Sequence, residues 1–204
     1  MSINFKSVIR FSHYIDTDNI VIIQEKVPNG GVPEHRYFLH VPYKQRNSGP
    51  VATVIMYNPS KAGLRDDHGR ILSDFTIYNV LQYLYHHQDR FQAVGVMNLL
   101  SSFSSNPAKL LTPSFNQSKN NKTLKECISK VNHERGDKLI LAWGAPHKKA
   151  SAETIALYEK QIRYVKSIIG NLPVFHVEDP YRKSPAPQHG SRWTDYEELQ
   201  PYKL

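Results

Sequence analysis

Four short apolar runs recur along the chain, Val51–Met56, Ala93–Met97, Lys138–Ala142 and Pro173–Val177, with amphipathic segments between them. Runs this short and this uniformly apolar fit strands covered on both faces, as in a parallel sheet whose crossovers are helices. The intervening segments carry the matching helical period. Ile77, Val80, Leu81 and Leu84 mark the first, with Ser73 or Asp74 as its N-cap, and Leu124, Cys127, Ile128 and Val131 mark the second. From Ser151 onward, Ile155, Tyr158, Ile162, Val165 and Ile169 mark the third. The alternation implies an α/β fold, a three-layer α/β/α sandwich with a mainly parallel central sheet and helices on both faces.

Ahead of this core, Ile20–Ile23 and Tyr37–Val41 flank the Pro- and Gly-punctuated loop VPNGGVPEH, which predicts an N-terminal β-hairpin at the sheet edge or over one end. The Pro-rich segment beyond Val177 is expected to be irregular. At 204 residues, with no repeat and no low-complexity stretch, the chain reads as a single domain spanning 1–204. Residues 1–50 supply strands and loops, 51–190 the core and 191–204 a tail.

Composition narrows the function. Lys and Arg outnumber Asp and Glu by 26 to 18, giving +8, a balance that favours a polyanionic partner such as nucleic acid but equally describes an ordinary basic surface. Cys127 is the one cysteine, which excludes an intrachain disulfide framework and a Cys-rich zinc site. The histidines show no ligand spacing, so no metal or organic cofactor is expected. The start has no hydrophobic signal core and no apolar run approaches the ~18 residues of a membrane span. A monomeric, cytoplasmic protein without a membrane partner is the expectation.

In open parallel sheets, ligands bind beyond the carboxyl ends of the strands. Three polar punctuations fall there: Asn58-Pro59-Ser60, Asn98, and Trp143-Gly144. An asparagine carries a donor and an acceptor, so it can read a base edge or hold a water molecule, and Pro59 biases Asn58 toward an extended backbone that aims it. Each also has a plain structural reading, as turn residues for Asn58 and Asn98 and as core for Trp143. Ser60 and Lys61, then His147, Lys148 and Lys149, could meet phosphates or form a solvated patch. In the late segment SPAPQHGSRW, His189 can donate to an anionic leaving group, with Arg182, Lys183 and Arg192 around it.

Taken in order, VIMYNPSKAG, SDFTI, VGVMNLLSSFSSNPAKL, LILAWGA and PAPQHG resemble the domain-of-unknown-function 1643 family of bacterial and phage proteins over about residues 51–190. That family's pattern runs Asn-Pro-Ser, Asp-Pro-Thr-Ile, Asn-Leu, Trp-Gly and Pro-x-His-Pro. Here Phe75 and Gly190 stand where it has proline. The family in turn looks like the uracil-DNA glycosylase superfamily, with an Asn-Pro or Asp-Pro turn, a base-reading Asn, a Trp-Gly strand end and a C-terminal His loop. The resemblance implies a glycosylase-like fold that extracts a base from DNA, with Asn58 positioning water, Asn98 reading the base and His189 stabilising the departing base. It implies further that Tyr57 and Trp143 line the pocket, and that Gly144 and the cations named above approach the backbone. Asp74 is its carboxylate candidate for a base, although a helix N-cap is the commoner task of an Asp so placed. The function expected is hydrolytic excision of a modified, damaged or uracil base from DNA. The alternatives are a nucleoside or nucleotide N-glycosidase and a non-catalytic nucleic-acid-binding module.

Overall fold

Strands and helices alternate as expected in a computed structural model, which describes residues 8–25, 35–103, 117–146, 148, 150–178, 186–194 and 197–204. The strands are β1 (Val8–Arg10), β2 (Val21–Gln24), β3 (Arg36–Pro42), β4 (Val51–Met56), β5 (Leu72–Asp74), β6 (Ala93–Asn98), β7 (Lys138–Ala142), β8 (Val174–Glu178) and β9 (Glu198–Pro201). The helices are α1 (Phe75–His86), α2 (Gln117–Ile128) and α3 (Ala152–Ile169). Seven strands form one mixed sheet in the order β2-β3-β6-β4-β7-β8-β9, while β1 and β5 pair antiparallel in a separate two-stranded ribbon.

The four apolar runs are the parallel centre of that sheet: β4 lies between β6 and β7, with Met56 level with both Asn98 and Ala142, and β8 follows β7. The mainly parallel sheet of the sequence reading is therefore its centre only. The β2–β3 hairpin is part of the main sheet, β3 pairing antiparallel with β6. At the other side β9, in the tail expected to be irregular, pairs antiparallel with β8. Both additions satisfy backbone groups that the parallel centre would otherwise leave unpaired at its edges. Neither is visible as apolar periodicity, because an edge strand needs only partial burial; β9 is half-buried at Leu199 and Gln200 and exposed at both ends.

Side chains alternate between the faces of a strand, and two cores follow from that. Val54, Met56, Val94, Val96, Ile140 and Ala142 pack with Ile77, Val80, Leu81 and Leu84 of α1. Ile55, Met97, Leu139 and Leu141 pack on the opposite face with Leu124 and Ile128 of α2 and Tyr158, Val165 and Ile169 of α3. The helix caps are those the sequence offers. Asp74 caps α1, accepting from the Ile77 N–H at 3.0 Å, and Ser151 caps α3, accepting from the Thr154 N–H at 3.2 Å. Phe75 occupies the first position of α1, where a proline also fits because no intrahelical bond needs its N–H. Its ring is exposed, so the exchange disturbs no core packing. In α3 the fully buried stripe runs Thr154, Tyr158, Gln161, Val165, Ile169, leaving Ile155 and Ile162 half-buried. Among the described residues, no helix is long and apolar enough to cross a membrane.

Candidate functional site

The carboxyl ends of β4, β6 and β7 lie side by side, and the first turn after β4 is bonded to the next strand: Leu99 N–H donates to Met56 O at 2.8 Å and Leu100 N–H to Tyr57 O at 3.0 Å. Asn98 ends β6 with no exposed surface, and neither the nitrogen nor the oxygen of its side-chain amide has a hydrogen-bond partner among the described residues. Strand alternation directs that amide to the α1 face, the side of Val94 and Val96. An enclosed amide with neither end satisfied is costly, and a group able to accept and donate at once would satisfy it.

His189 stands over the end of β7. A Cβ added to Gly144 would come within 2.9 Å of the His189 Cβ, and Gly144 has φ +66, so glycine is needed here both for the turn and for the approach of the ring. Gly144 N–H also donates to Pro187 O at 3.0 Å, tying the late loop to the strand end. Beside it Gly190 is wedged against α1, where a Cβ would lie 2.5 Å from Val80 Cγ2. That contact explains why this chain has glycine after the histidine. Asn79 Nδ2 donates to Ser191 O at 3.1 Å, and the Trp193 ring packs edge-on against Tyr83, centroids 5.3 Å apart. The His loop is thus clamped to α1 rather than hanging free as a tail.

The ring's own bonds set its chemistry. Ser191 N–H donates to His189 Nδ1 at 3.2 Å, and the Ser191 hydroxyl lies 2.8 Å from the same nitrogen. A backbone donor to Nδ1 fixes it as an acceptor and places the neutral ring's proton on Nε2. Burial, together with Arg192, lowers the His189 pKa below its ordinary value, against an opposing pull from Asp74. The imidazole is therefore a neutral hydrogen-bond donor at neutral pH.

Asp74 lies under the Asn-Pro-Ser turn. One oxygen caps α1; the other accepts from the Ala62 N–H at 2.9 Å and from the Ser60 hydroxyl. Three donors hold the carboxylate as an anchor joining the turn to the helix. Asn58 is half-buried and its Nδ2 donates to Pro59 O at 2.9 Å, which fixes the plane of its amide. Lys61 is a half-buried turn residue whose carbonyl accepts from Leu64 N–H at 3.2 Å.

Tyr57 and Trp143 fall on the other face, in the core with Tyr158. The Tyr57 and Tyr158 rings meet edge-on at 5.1 Å, and the Tyr158 hydroxyl donates to Gly144 O. The structure therefore links His189 with Gly144 and, through Asp74, with Ser60, sets Asn98 at the end of β6 on the same α1 face, and places Tyr57 and Trp143 behind the sheet. Lys148 and Arg192 are exposed, and Arg192 N–H donates to His189 O at 2.9 Å. His147, Lys149, Arg182 and Lys183 lie outside the described residues.

One residue near the site escapes sequence reasoning. Arg36 opens β3 with 1% of its surface exposed, and its Nη1 donates to the carbonyl of Ala62, the residue whose N–H binds Asp74. In HRYFLHV it reads as a polar flank before an apolar strand, and only the fold encloses it. Among the described residues, no three His, Cys, Asp or Glu side chains gather as a metal site.

No curated protein and no solved structure matches the chain significantly. A family profile does, over residues 36–181, beginning at Arg36 and ending ahead of His189. That match covers more than half of the sequence, and the chain belongs to the family described as Protein of unknown function (DUF1643).

Proposed function

We propose that the protein is an N-glycosidase of the DNA-glycosylase kind, which takes a base out of the stack and hydrolyses its bond to the sugar. The observation that carries this reading is the Asn98 amide, wholly enclosed at the end of β6 with donor and acceptor both unsatisfied. A heterocycle edge presents the complementary pair. His189 stands over β7, two strand positions away across β4, and two spacings of ~4.8 Å leave room for one flat ring with a hydrogen bond on each side. Helices on both faces of a sheet with a parallel centre, and the order of Asn-Pro turn, Asn, Trp-Gly and His, accord with a uracil-DNA glycosylase-like three-layer arrangement.

In this reading the base stays behind with the bonding electron pair when its bond to the sugar carbon breaks. His189 Nε2–H donates to the negative charge developing on the base. A donor aimed at developing charge in an enclosed site contributes about 10²–10³ in rate. Asn58 orients the water whose oxygen bonds to the sugar carbon, its proton passing to solvent. Asp74 serves by fixing the turn that carries Asn58. Since Asn98 is enclosed, a base reaches it only by displacing the groups that cover it, and extraction costs a few kcal/mol, offset by stacking and edge hydrogen bonds. The positive net charge supports DNA as the polymer.

The test is free base, detected by mass spectrometry, released from single- and double-stranded oligonucleotides carrying uracil and modified pyrimidines. Wild-type protein is expected to release base from at least one of them. His189→Gln should cut that rate about 10²–10³-fold with oligonucleotide affinity nearly intact, and Asn98→Ala should widen the range of bases accepted. Salt-sensitive DNA binding with no base released from any substrate would replace this reading with a non-catalytic binding module.

A further inference from the structure

Arg36 is enclosed at the start of β3, and the face toward which its guanidinium turns is the one Asn98 shares. Ala62, which accepts from Nη1, belongs to the α1-side core, and β3 is the strand next to β6. Arg36 N–H donates to Ser101 O at 3.0 Å, three residues past Asn98. A guanidinium offers five N–H donors in a fixed fork. Ala62 O takes one, the Phe103 ring centroid lies 5.7 Å from the guanidinium carbon, and the buried Nε has no partner among the described residues. Asp74 acts on it through space, but both oxygens of that carboxylate are taken by Ser60, Ala62 and Ile77. Burial pulls the Arg36 pKa down to about 10, still far above neutral, so the group remains a cation. An enclosed cation with a buried donor left unpaired is a poor stability element and a good receptor for a planar anion.

We infer that Arg36 receives an oxyanion, a phosphate or carboxylate borne by the ligand whose edge meets Asn98. This rests on the base-pocket reading of Asn98. With 1% exposure Arg36 is out of reach of a phosphodiester running along the surface, so the anion must enter with the bound molecule. One strand spacing, ~4.8 Å, separates β3 from β6, so Arg36 and Asn98 stand on neighbouring strands within reach of one small ligand. Two sources supply that chemistry: the 5′-phosphate of a mononucleotide, or a carboxylate on the ring.

Titration calorimetry on the full chain separates them, with deoxyuridine against deoxyuridine 5′-monophosphate and uracil against orotate. At least one anion is expected to bind ten-fold or more tighter than its uncharged parent. Arg36→Met should abolish that preference and Arg36→Lys keep part of it. If Arg36→Met does not fold, the wild type still answers: the Arg36 Nε–H resonance of ¹⁵N-labelled protein should move with the preferred anion and stay put with its parent. Equal affinities for charged and uncharged ligands, an unmoved Nε–H, a preference surviving in folded Arg36→Met, or no anion binding at millimolar concentration would each overturn the inference. Asn98→Ala tests the base pocket separately. If it leaves uracil affinity unchanged while Arg36→Met removes the anion preference, the base reading falls and the anion site stands.

Discussion

On the α1 side of the sheet, the strand ends and their loops gather Asn98, Asp74, His189 and Arg36; on the α2 and α3 side the same strands deliver Tyr57 and Trp143 against Tyr158. Adjacent residues supply the two sets. Ala142 packs toward α1 and Trp143 away from it, Met56 toward α1 and Tyr57 away. On the first side Asp74 and His189 are tied down by backbone and hydroxyl donors, while the Asn98 amide and the Arg36 Nε stand unpaired among the described residues. The second holds aromatic area, with neutral polar atoms scattered through it: among the described residues the Tyr57 hydroxyl, the Asn120 amide oxygen and the whole Gln161 amide have no partner. A one-residue difference in sequence is a change of face, so neighbours in a motif such as Tyr57-Asn58 or Trp143-Gly144 need not share a task.

Substitutions on the α1 side should have the larger effects. Asp74→Ala removes a cap and strands two further donors at a buried position, and should cost about 2–4 kcal/mol in urea unfolding. A cost below about 1 kcal/mol would show that the Asn-Pro-Ser turn does not depend on this anchor. Gly190→Ala drives a methyl into Val80 and should cost about 1–3 kcal/mol. Combining it with Val80→Ala should cost less than the two changes added together, and strict additivity in a double-mutant cycle would mean the loop moves away freely.

The pH dependence sharpens the contrast further. His189, His40, His87 and His176 all have pKa values lowered by burial, so each binds a proton less readily folded than unfolded. Their neutral forms favour folding above the ordinary histidine pKa of 6.5, and stability is lost as pH falls below it. The urea midpoint should drop between pH 7.5 and 5.5, as about one unit on either side of that value, and His189→Gln should flatten the drop. An unchanged slope would mean that His189 is as solvated folded as unfolded. Smallest of all, Gln161→Leu on the opposite face replaces an unsatisfied amide with an apolar side chain. It should change stability by no more than about 1 kcal/mol, in the favourable direction. A larger loss, read in the same unfolding experiment, would show that the Gln161 amide is bonded in solution.

The core of the fold was legible because burial on two faces leaves a mark that needs no partner to be read. Val51–Met56 and its counterparts are apolar apart from Thr53, Lys138 and His176, and the stripes of α1 and α3 carry caps at Asp74 and Ser151. The polar strand ends were legible too, as breaks in those runs. Gln161 was not, because an amide on a helix face reads as solvent-facing until the fold buries it. Nor was β9, which is recognisable as a strand only through its pairing with β8.

The alternation of buried strands and amphipathic helices, the caps, and the residues at the strand ends all follow from local pattern, since the hydrophobic effect acts on it segment by segment. Tertiary structure decided which of those residues face one another. Pleat parity put Asn98 on the α1 face, and Trp143 went to the far core. The close fit of Gly144 and Gly190 fixed the histidine ring in place. The pairing of β3 with β6 enclosed Arg36, whose charge was plain in the sequence and whose burial was not. Burial and pairing of this kind belong to contacts between distant segments, and no local pattern records them.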